Sequence, residues 1–131
     1  MVRRSEIEFL RRRARGFLEN AKDLLSKGAY DLAAFNLEQS LQLLLKCELL
    51  LRLGDYPRTH SLRRLFKTLI EATEDQEVGK FFKENVDVIG NLESAYIAAR
   101  YLPVEFEEEE VKHMLKLVED FLKLLELEGG E

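Results

Sequence analysis

Polar side chains recur inside a leucine-rich stretch that runs from residue 30 to residue 53. Gln39, Gln42 and Lys46 follow one another at three- and four-residue steps, which on an α-helix places them on or near one side. If that side faces a cleft, the two amides and the ammonium could meet a phosphate or the edge of a base. Alternatively, they face solvent or a partner subunit, with Lys46 extending its charge to water.

A second candidate group lies near residue 100. Arg100 follows Tyr96 by four residues, and Glu93 lies nearly one turn further back. A guanidinium forms forked hydrogen bonds with phosphate oxygens, and Tyr96 offers a flat surface on which a base could stack. In the alternative interpretation, Arg100 pairs with Glu93 or with carbonyls at the end of its helix.

The histidines and the cysteine indicate no metal site and no cofactor. His60, His113 and Cys47 lie far apart and lack the spacing of metal ligands. We expect His60 to tie down a loop, His113 to lie on the surface and Cys47 to be a packed thiol. A run of arginines makes the N-terminal end basic, and it either contacts RNA or an acidic partner or is a solvated face: Arg3, Arg4, Arg11, Arg12, Arg13 and Arg15.

Composition favours a single globular domain over residues 1–131, with its core at about 5–127. Hydrophobic residues make up 46% of the chain, which excludes global disorder, and the 34% of charged residues suffice to cover the outside. The net charge of −5 argues against a protein that coats nucleic acid with its whole surface. The start MVRRSEIE has no apolar run behind it, so we expect a cytoplasmic protein without a membrane span.

Hydrophobic periodicity predicts an all-α, up-and-down bundle of about five helices. The 30–53 stretch is apolar nearly all round, so it should be the central helix with neighbours on several sides. Ser5 should cap the first helix, and Gly28 should end it in a left-handed turn that makes the first two helices antiparallel. Thr59 or Ser61 should cap the third, whose inward residues should be Leu62, Leu65, Phe66 and Leu69. The fourth should kink near Asn85, and its predicted apolar stripe is Phe81, Phe82, Val86, Ile89, Leu92, Tyr96 and Ala99. The predicted ranges are 5–28, 30–53, 62–73, 77–101 and 107–127.

Three stretches, taken together and in order, resemble the HEPN family (higher eukaryotes and prokaryotes nucleotide-binding). They are AKDLLSKGAYDLAAFNLEQSLQLLLKCELL at 21–50, YPRTHSL at 56–62 and LESAYIAARYLP at 92–103. The resemblance covers about residues 5–127. It implies a helical bundle that commonly dimerises, binds nucleotides or RNA, and in prokaryotes often accompanies a small nucleotidyltransferase as the toxin half of a toxin–antitoxin pair. It favours a cleft lined by Gln39, Gln42, Lys46, Tyr96 and Arg100.

Many members are metal-independent RNases that carry an Arg followed, after four to six residues, by a His. Arg100 matches the Arg, but Glu105, Phe106 and Glu107 occupy the positions of the His. Arg52 and His60 have too many residues between them, and Gln42 stands where many members have Glu. Without the imidazole, no obvious group shuttles a proton near neutral pH. The sequence therefore predicts no catalytic residue.

The leading hypothesis is a homodimeric, nucleotide- or RNA-interacting partner of a small nucleotidyltransferase with a degenerate RNase motif. Two other classes stay open. One is a metal-independent RNase with a composite site, for instance His60 brought near Arg100 by folding. The other is a non-catalytic module that binds a protein partner and no nucleotide.

Overall fold

Six α-helices make up the structure, a computed structural model that describes residues 4–101 and 105–128. They are α1 Arg4–Ser26, α2 Tyr30–Leu53, α3 Leu62–Thr73, α4 Gln76–Glu84, α5 Val86–Tyr101 and α6 Glu108–Glu128. The prediction of an all-α, up-and-down bundle is confirmed. The count is six because the predicted kink near Asn85 separates two helices, and the Asn85 N–H bonds the carbonyls of Phe81 and Phe82. Arg3 of the basic run lies outside the described residues.

Gly28 closes α1, as predicted. Its φ of 79° lies in the left-handed region that glycine adopts without strain. The N–H groups of Gly28 and Ala29 donate to the carbonyls of Leu25 and Leu24 at 3.1 and 2.9 Å, which is the hydrogen-bond pattern of a Schellman motif. The predicted N-cap at Ser5 is wrong, because Arg4 is already helical and Ser5 lies in the first turn.

The two opening helices pack antiparallel, as the short connection predicts. Ser40 Oγ donates to the Ala14 carbonyl at 2.7 Å, and Cys47 Sγ lies 3.5 Å from the Ile7 carbonyl. Contacts thus pair later residues of α2 with earlier residues of α1. Cys47 is buried and has a free thiol, and burial raises the pKa of that thiol. This agrees with the prediction of a packed thiol.

The central position of α2 is confirmed, because it contacts α1, α3, α5 and α6. Leu41, Leu44, Leu49 and Leu50 point to different sides of the helix and are each at most 4% exposed, so several sides of the helix are covered. Leu32, Leu51 and Leu53 remain exposed near its two ends. Within the described ranges, no helix combines the length and apolar content that crossing a bilayer requires.

Side-chain caps mark the first turns of α3 and α4. Of the two predicted caps, Ser61 is used: its Oγ accepts from the Arg64 N–H at 3.2 Å. Asp75 caps α4 in the same way, accepting from the Val78 N–H at 3.0 Å. The four inward residues predicted for α3 are all buried: Leu62, Leu65, Phe66 and Leu69.

The apolar face of α5 differs from the predicted stripe. Val86 is exposed and Tyr96 is only half-buried, whereas Ala95 and Ala98 face the core with Ile89 and Leu92. Two of these four inward side chains are small, and the larger Tyr96 is left at the edge of the helix packing. That edge is where the candidate site lies.

Candidate functional site

Four polar side chains of α2 are connected by hydrogen bonds into a chain, here called the polar ladder: Glu38, Gln39, Gln42 and Lys46. Gln39 Nε2 and Gln42 Nε2 donate to the two carboxylate oxygens of Glu38 at 2.7 and 2.9 Å. Lys46 Nζ donates to Gln42 Oε1 at 2.9 Å. The four-residue steps from Glu38 to Gln42 to Lys46 make this geometry available on one helix face.

The ladder has a buried acidic end and a half-buried basic end. Glu38 is fully buried, and burial raises the pKa of its carboxyl to about 7, against the opposing effect of its two amide donors. Glu93 raises this pKa further. Burial also lowers the pKa of Lys46, an effect that Glu38 opposes and Arg58 reinforces. Glu38 is not among the predicted site residues, although its spacing of four residues before Gln42 is the signal that could have identified it.

The loop at residues 54–61 brings an aromatic ring to the basic end of the ladder. Gly54 ends α2 with a φ of 83°, which turns the chain back over the helix. Lys46 Nζ lies 5.5 Å from the centroid of the Tyr56 ring, and the Arg58 guanidinium lies 5.6 Å from it. Two cations therefore contact the same ring at distances typical of cation–π pairs. Tyr56 and Arg58 are not among the predicted site residues, because this contact depends on how the loop folds.

A second ring–cation group forms on α5. The His60 ring stacks on the Tyr96 ring with centroids 4.5 Å apart and an interplanar angle of 17°. The Arg100 guanidinium lies 4.7 Å from the same centroid, and Phe35 of α2 lies 6.3 Å away. His60 thus ties the loop to α5, which agrees with its expected structural role. Arg100 itself is exposed.

Glu93 joins the loop to α5, and it is not the ion partner of Arg100 that the alternative interpretation proposed. It accepts from Ser61 Oγ at 2.9 Å and from the Arg63 N–H at 3.3 Å. Its ion pair is with the Arg63 Nε, at 3.5 Å. Arg100 is therefore held by the Tyr96 ring, and its donors are not used by that carboxylate.

The structure brings the five predicted site residues into two adjacent groups. Gln39, Gln42 and Lys46 belong to the ladder, whereas Tyr96 and Arg100 belong to the group on α5. The contact of Phe35 on α2 with Tyr96 on α5 links the two groups, and Glu93 on α5 is near enough to Glu38 to raise the pKa of its carboxyl. We call this combined surface the α2–α5 face. It offers ammonium and guanidinium groups beside flat rings, which suits an anionic ligand with an aromatic base.

No imidazole follows Arg100 at the spacing of the RNase motif. His113 is exposed on α6, as expected. Glu105 and Glu107 are exposed, and the Phe106 N–H donates to Asp31 Oδ1 at 3.0 Å. Across residues 4–101 and 105–128, no group of three or more His, Cys, Asp or Glu side chains is arranged to hold a metal ion. Glu38 titrates near neutral pH but is sealed from solvent, so it has no direct access to a ligand on the surface.

Comparison with known proteins identifies the family of this helical chain. No curated protein gives a significant match. The family model described as HEPN domain matches residues 7–128, nearly the whole of the 131-residue sequence. The sequence resemblance is thus confirmed, and the chain belongs to the HEPN family, as a helical domain related to nucleotides and RNA.

Proposed function

We propose that the α2–α5 face binds a nucleotide or RNA, and that the protein acts as the HEPN partner of a small nucleotidyltransferase in a toxin–antitoxin-like pair. In this proposal Lys46 and Arg100 hold phosphate, and a base stacks on the Tyr96 ring in place of the His60 ring, which lies 4.5 Å from it in the structure. Gln42 and Gln39 keep Lys46 and the buried carboxyl in place. No residue has a catalytic role, because the sequence lacks the histidine expected after Arg100.

One observation carries the proposal, the meeting of two ring–cation groups on one face. Tyr56 has Lys46 and Arg58 against it, and Tyr96 has Arg100 against it. Within the described part of the chain, neither Lys46 nor Arg100 forms an ion pair with a carboxylate. In a chain with a net charge of −5, such a concentration of uncompensated cations beside rings favours an anionic, base-bearing ligand.

Calorimetric titration with ATP, GTP and short RNAs tests the binding. We expect the Arg100→Gln variant to lose about tenfold in affinity, since a charge-assisted hydrogen bond contributes about 1.5–3 kcal/mol. Arg64→Gln is the matched control, because Arg64 is also an exposed arginine but lies on α3. Silent titrations of the natural protein with every ligand would instead favour the non-catalytic interaction module.

A specific contact supports the composite RNase as a second candidate. His60 and Arg100 lie 4.5 and 4.7 Å from the same Tyr96 ring centroid, so folding brings together an imidazole and a guanidinium that are 40 positions apart in the sequence. RNA cleavage in metal-free buffer that disappears in both Arg100→Ala and His60→Ala would support this activity. Highly purified protein that leaves RNA intact would exclude it.

The homodimer and the cytoplasmic setting belong to the same proposal. Ile97 and Tyr101 lie one turn apart on α5, beside Arg100, and are 49% and 73% exposed. Covering such apolar side chains would favour association of two copies. Sedimentation analysis of an Ile97→Asp variant tests the dimer, which should dissociate. A small nucleotidyltransferase encoded next to this gene would support the two-component system, and its absence would weaken it.

A further inference from the structure

A second basic and aromatic surface lies on α1, on an outward-facing stripe of that helix. We call it the α1 stripe. Its members recur at three- and four-residue steps, which align them on one helix face. They are Phe9, Arg12, Arg13, Gly16, Phe17 and Asn20.

The arginines of the stripe contact rings and no carboxylates. The Arg12 and Arg13 guanidinium groups lie 5.8 and 5.4 Å from the Phe9 centroid, and Arg13 lies 5.9 Å from the Phe17 centroid. Among residues 4–101 and 105–128, neither arginine forms an ion pair, although Glu8 lies four residues before Arg12, a spacing that permits one. By contrast, Arg15 on the same helix pairs with Glu126 at 2.9 Å.

The stripe also has an accessible ring and an open concavity. Phe9 is 45% exposed, which leaves part of its ring surface available for stacking. The concavity has a volume of about 330 Å³, at the lower end of the roughly 300–1,000 Å³ of small-ligand clefts. A Cβ on Gly16 would meet nothing within 4 Å, so the stripe is open to solvent there. The residues that line the concavity are Arg12, Arg13, Gly16, Phe17, Asn20 and Asn36.

We propose that the α1 stripe binds single-stranded nucleic acid, with Arg12 and Arg13 on phosphates and Phe9 stacking on a base. Single strands are bound by cations that follow the backbone and by rings that accept any base. An acidic protein segment would use the arginines but would not need the exposed ring. The surface lies on α1 and uses none of the side chains of the α2–α5 face, so the inference goes beyond the proposed function.

Fluorescence anisotropy with a labelled oligo(U) of about 12 nucleotides, within the range of about 4–16 that such sites cover, tests the proposal. We expect Arg12→Gln/Arg13→Gln to weaken binding at least tenfold. The slope of log affinity against log salt concentration should become shallower by about 0.7 for each phosphate that the variant no longer neutralises. Phe9→Leu keeps an apolar side chain without the ring and should weaken binding about fivefold or more.

The matched control is Lys112→Gln/Lys116→Gln, which removes two charges from α6, where each lysine pairs with a neighbouring carboxylate. This variant should keep the natural affinity and salt slope. The proposal is overturned if natural protein does not bind the oligonucleotide, if the α1 variant binds like natural protein, or if both double variants lose affinity equally. It is also overturned if poly-glutamate displaces the oligonucleotide at equal concentration, because an acidic protein partner would then fit better.

The binding proposals for the two surfaces can be contradicted separately. Arg100→Gln should weaken the binding of mononucleotides without changing the effect of the α1 substitutions on oligo(U). Loss of the α1 effect alone would leave the α2–α5 face intact, whereas silent mononucleotide titrations would leave the α1 stripe intact. Unchanged circular dichroism and urea midpoints would show that each variant is folded.

Discussion

Two cations on α2 illustrate opposite uses of the same helix spacing. Arg52 follows Glu48 by four residues, and Lys46 follows Gln42 by four. Arg52 Nε contacts the Glu48 carboxylate at 2.7 Å, and its Nη1 contacts Asp75 at 2.8 Å. Lys46 instead contacts a neutral amide.

The difference lies in how each charge is compensated. The Arg52 charge meets two carboxylates, one of which also caps α4, so this cluster fastens α2 to the following helices. The Lys46 charge meets Gln42 and the Tyr56 ring, and a second cation, Arg58, lies against that ring. We infer that the first cluster stabilises the fold and that the second is available to an external anion.

Breaking the structural cluster should have the largest effect. Arg52→Ala would leave Glu48 and Asp75, whose side chains are only 11% and 9% exposed, without this cation. We expect a loss of about 3–4 kcal/mol in the free energy of unfolding, measured by urea denaturation. Arg15→Ala, which breaks an exposed ion pair, should cost less than about 1 kcal/mol. Equal losses in the two variants would contradict the structural assignment of Arg52.

Glu38 should make stability depend on pH. Its folded pKa of about 7 lies above the reference value of 4.5. The contribution of the protonated Glu38 carboxyl to the free energy of unfolding is therefore fully present below pH 4.5 and is lost as pH rises through about 7. Across this pH range the free energy of unfolding should fall by about 3 kcal/mol, because each unit of difference between the two pKa values contributes about 1.4 kcal/mol.

The Glu38→Gln variant isolates this effect, because all other titrating groups are shared. We expect similar unfolding free energies for the two proteins at pH 5. At pH 8 the variant should be more stable by about 2–3 kcal/mol, as measured by urea denaturation at both values. Parallel pH profiles of the two proteins would show that Glu38 titrates normally in the fold.

The sequence predicted the parts of the fold that depend on local patterns. The bounds of α2, the left-handed turn at Gly28 and the four buried residues of α3 follow from periodicity and turn chemistry. The capping pattern at Ser5 was misleading, since the helix begins earlier. The inward face of α5 was predicted in part: Ile89 and Leu92 are buried, but Val86 is exposed and Tyr96 is half-buried, because Ala95 and Ala98 take the neighbouring inward positions.

The site was predicted less completely, for a physical reason. Gln39, Gln42 and Lys46 are related by helix spacing, so the ladder is a local feature. The contacts of Tyr56 with Lys46 and of His60 with Tyr96 depend on the path of the loop at residues 54–61 and on its anchoring through Glu93. Such contacts between distant segments leave no periodic signal in the sequence.

Lys46→Met should separate binding from stability. Removing this ammonium relieves the desolvation that lowers its pKa but leaves Gln42 Oε1 without its donor, so the net change in unfolding free energy should stay within about 1 kcal/mol. Nucleotide affinity, measured by calorimetry, should fall about tenfold. This is the reverse of the behaviour expected for Arg52→Ala. A Lys46→Met protein that is strongly destabilised but binds normally would contradict the assignment of Lys46 to ligand binding.

The smallest expected effect concerns the stacking of His60 on Tyr96. Because His60 is exposed, His60→Ala should lower the unfolding free energy by only about 0.5 kcal/mol, whereas His60→Phe should preserve the stack. The unfolding free energies are measured by urea denaturation. In a double-mutant cycle with Tyr96→Leu, a coupling energy of about 0.5 kcal/mol would show that the two rings hold the loop to α5. A coupling energy of zero would mean that the bonds of Ser61 and Arg63 to Glu93 suffice to hold the loop, and that His60 remains available to contact a ligand.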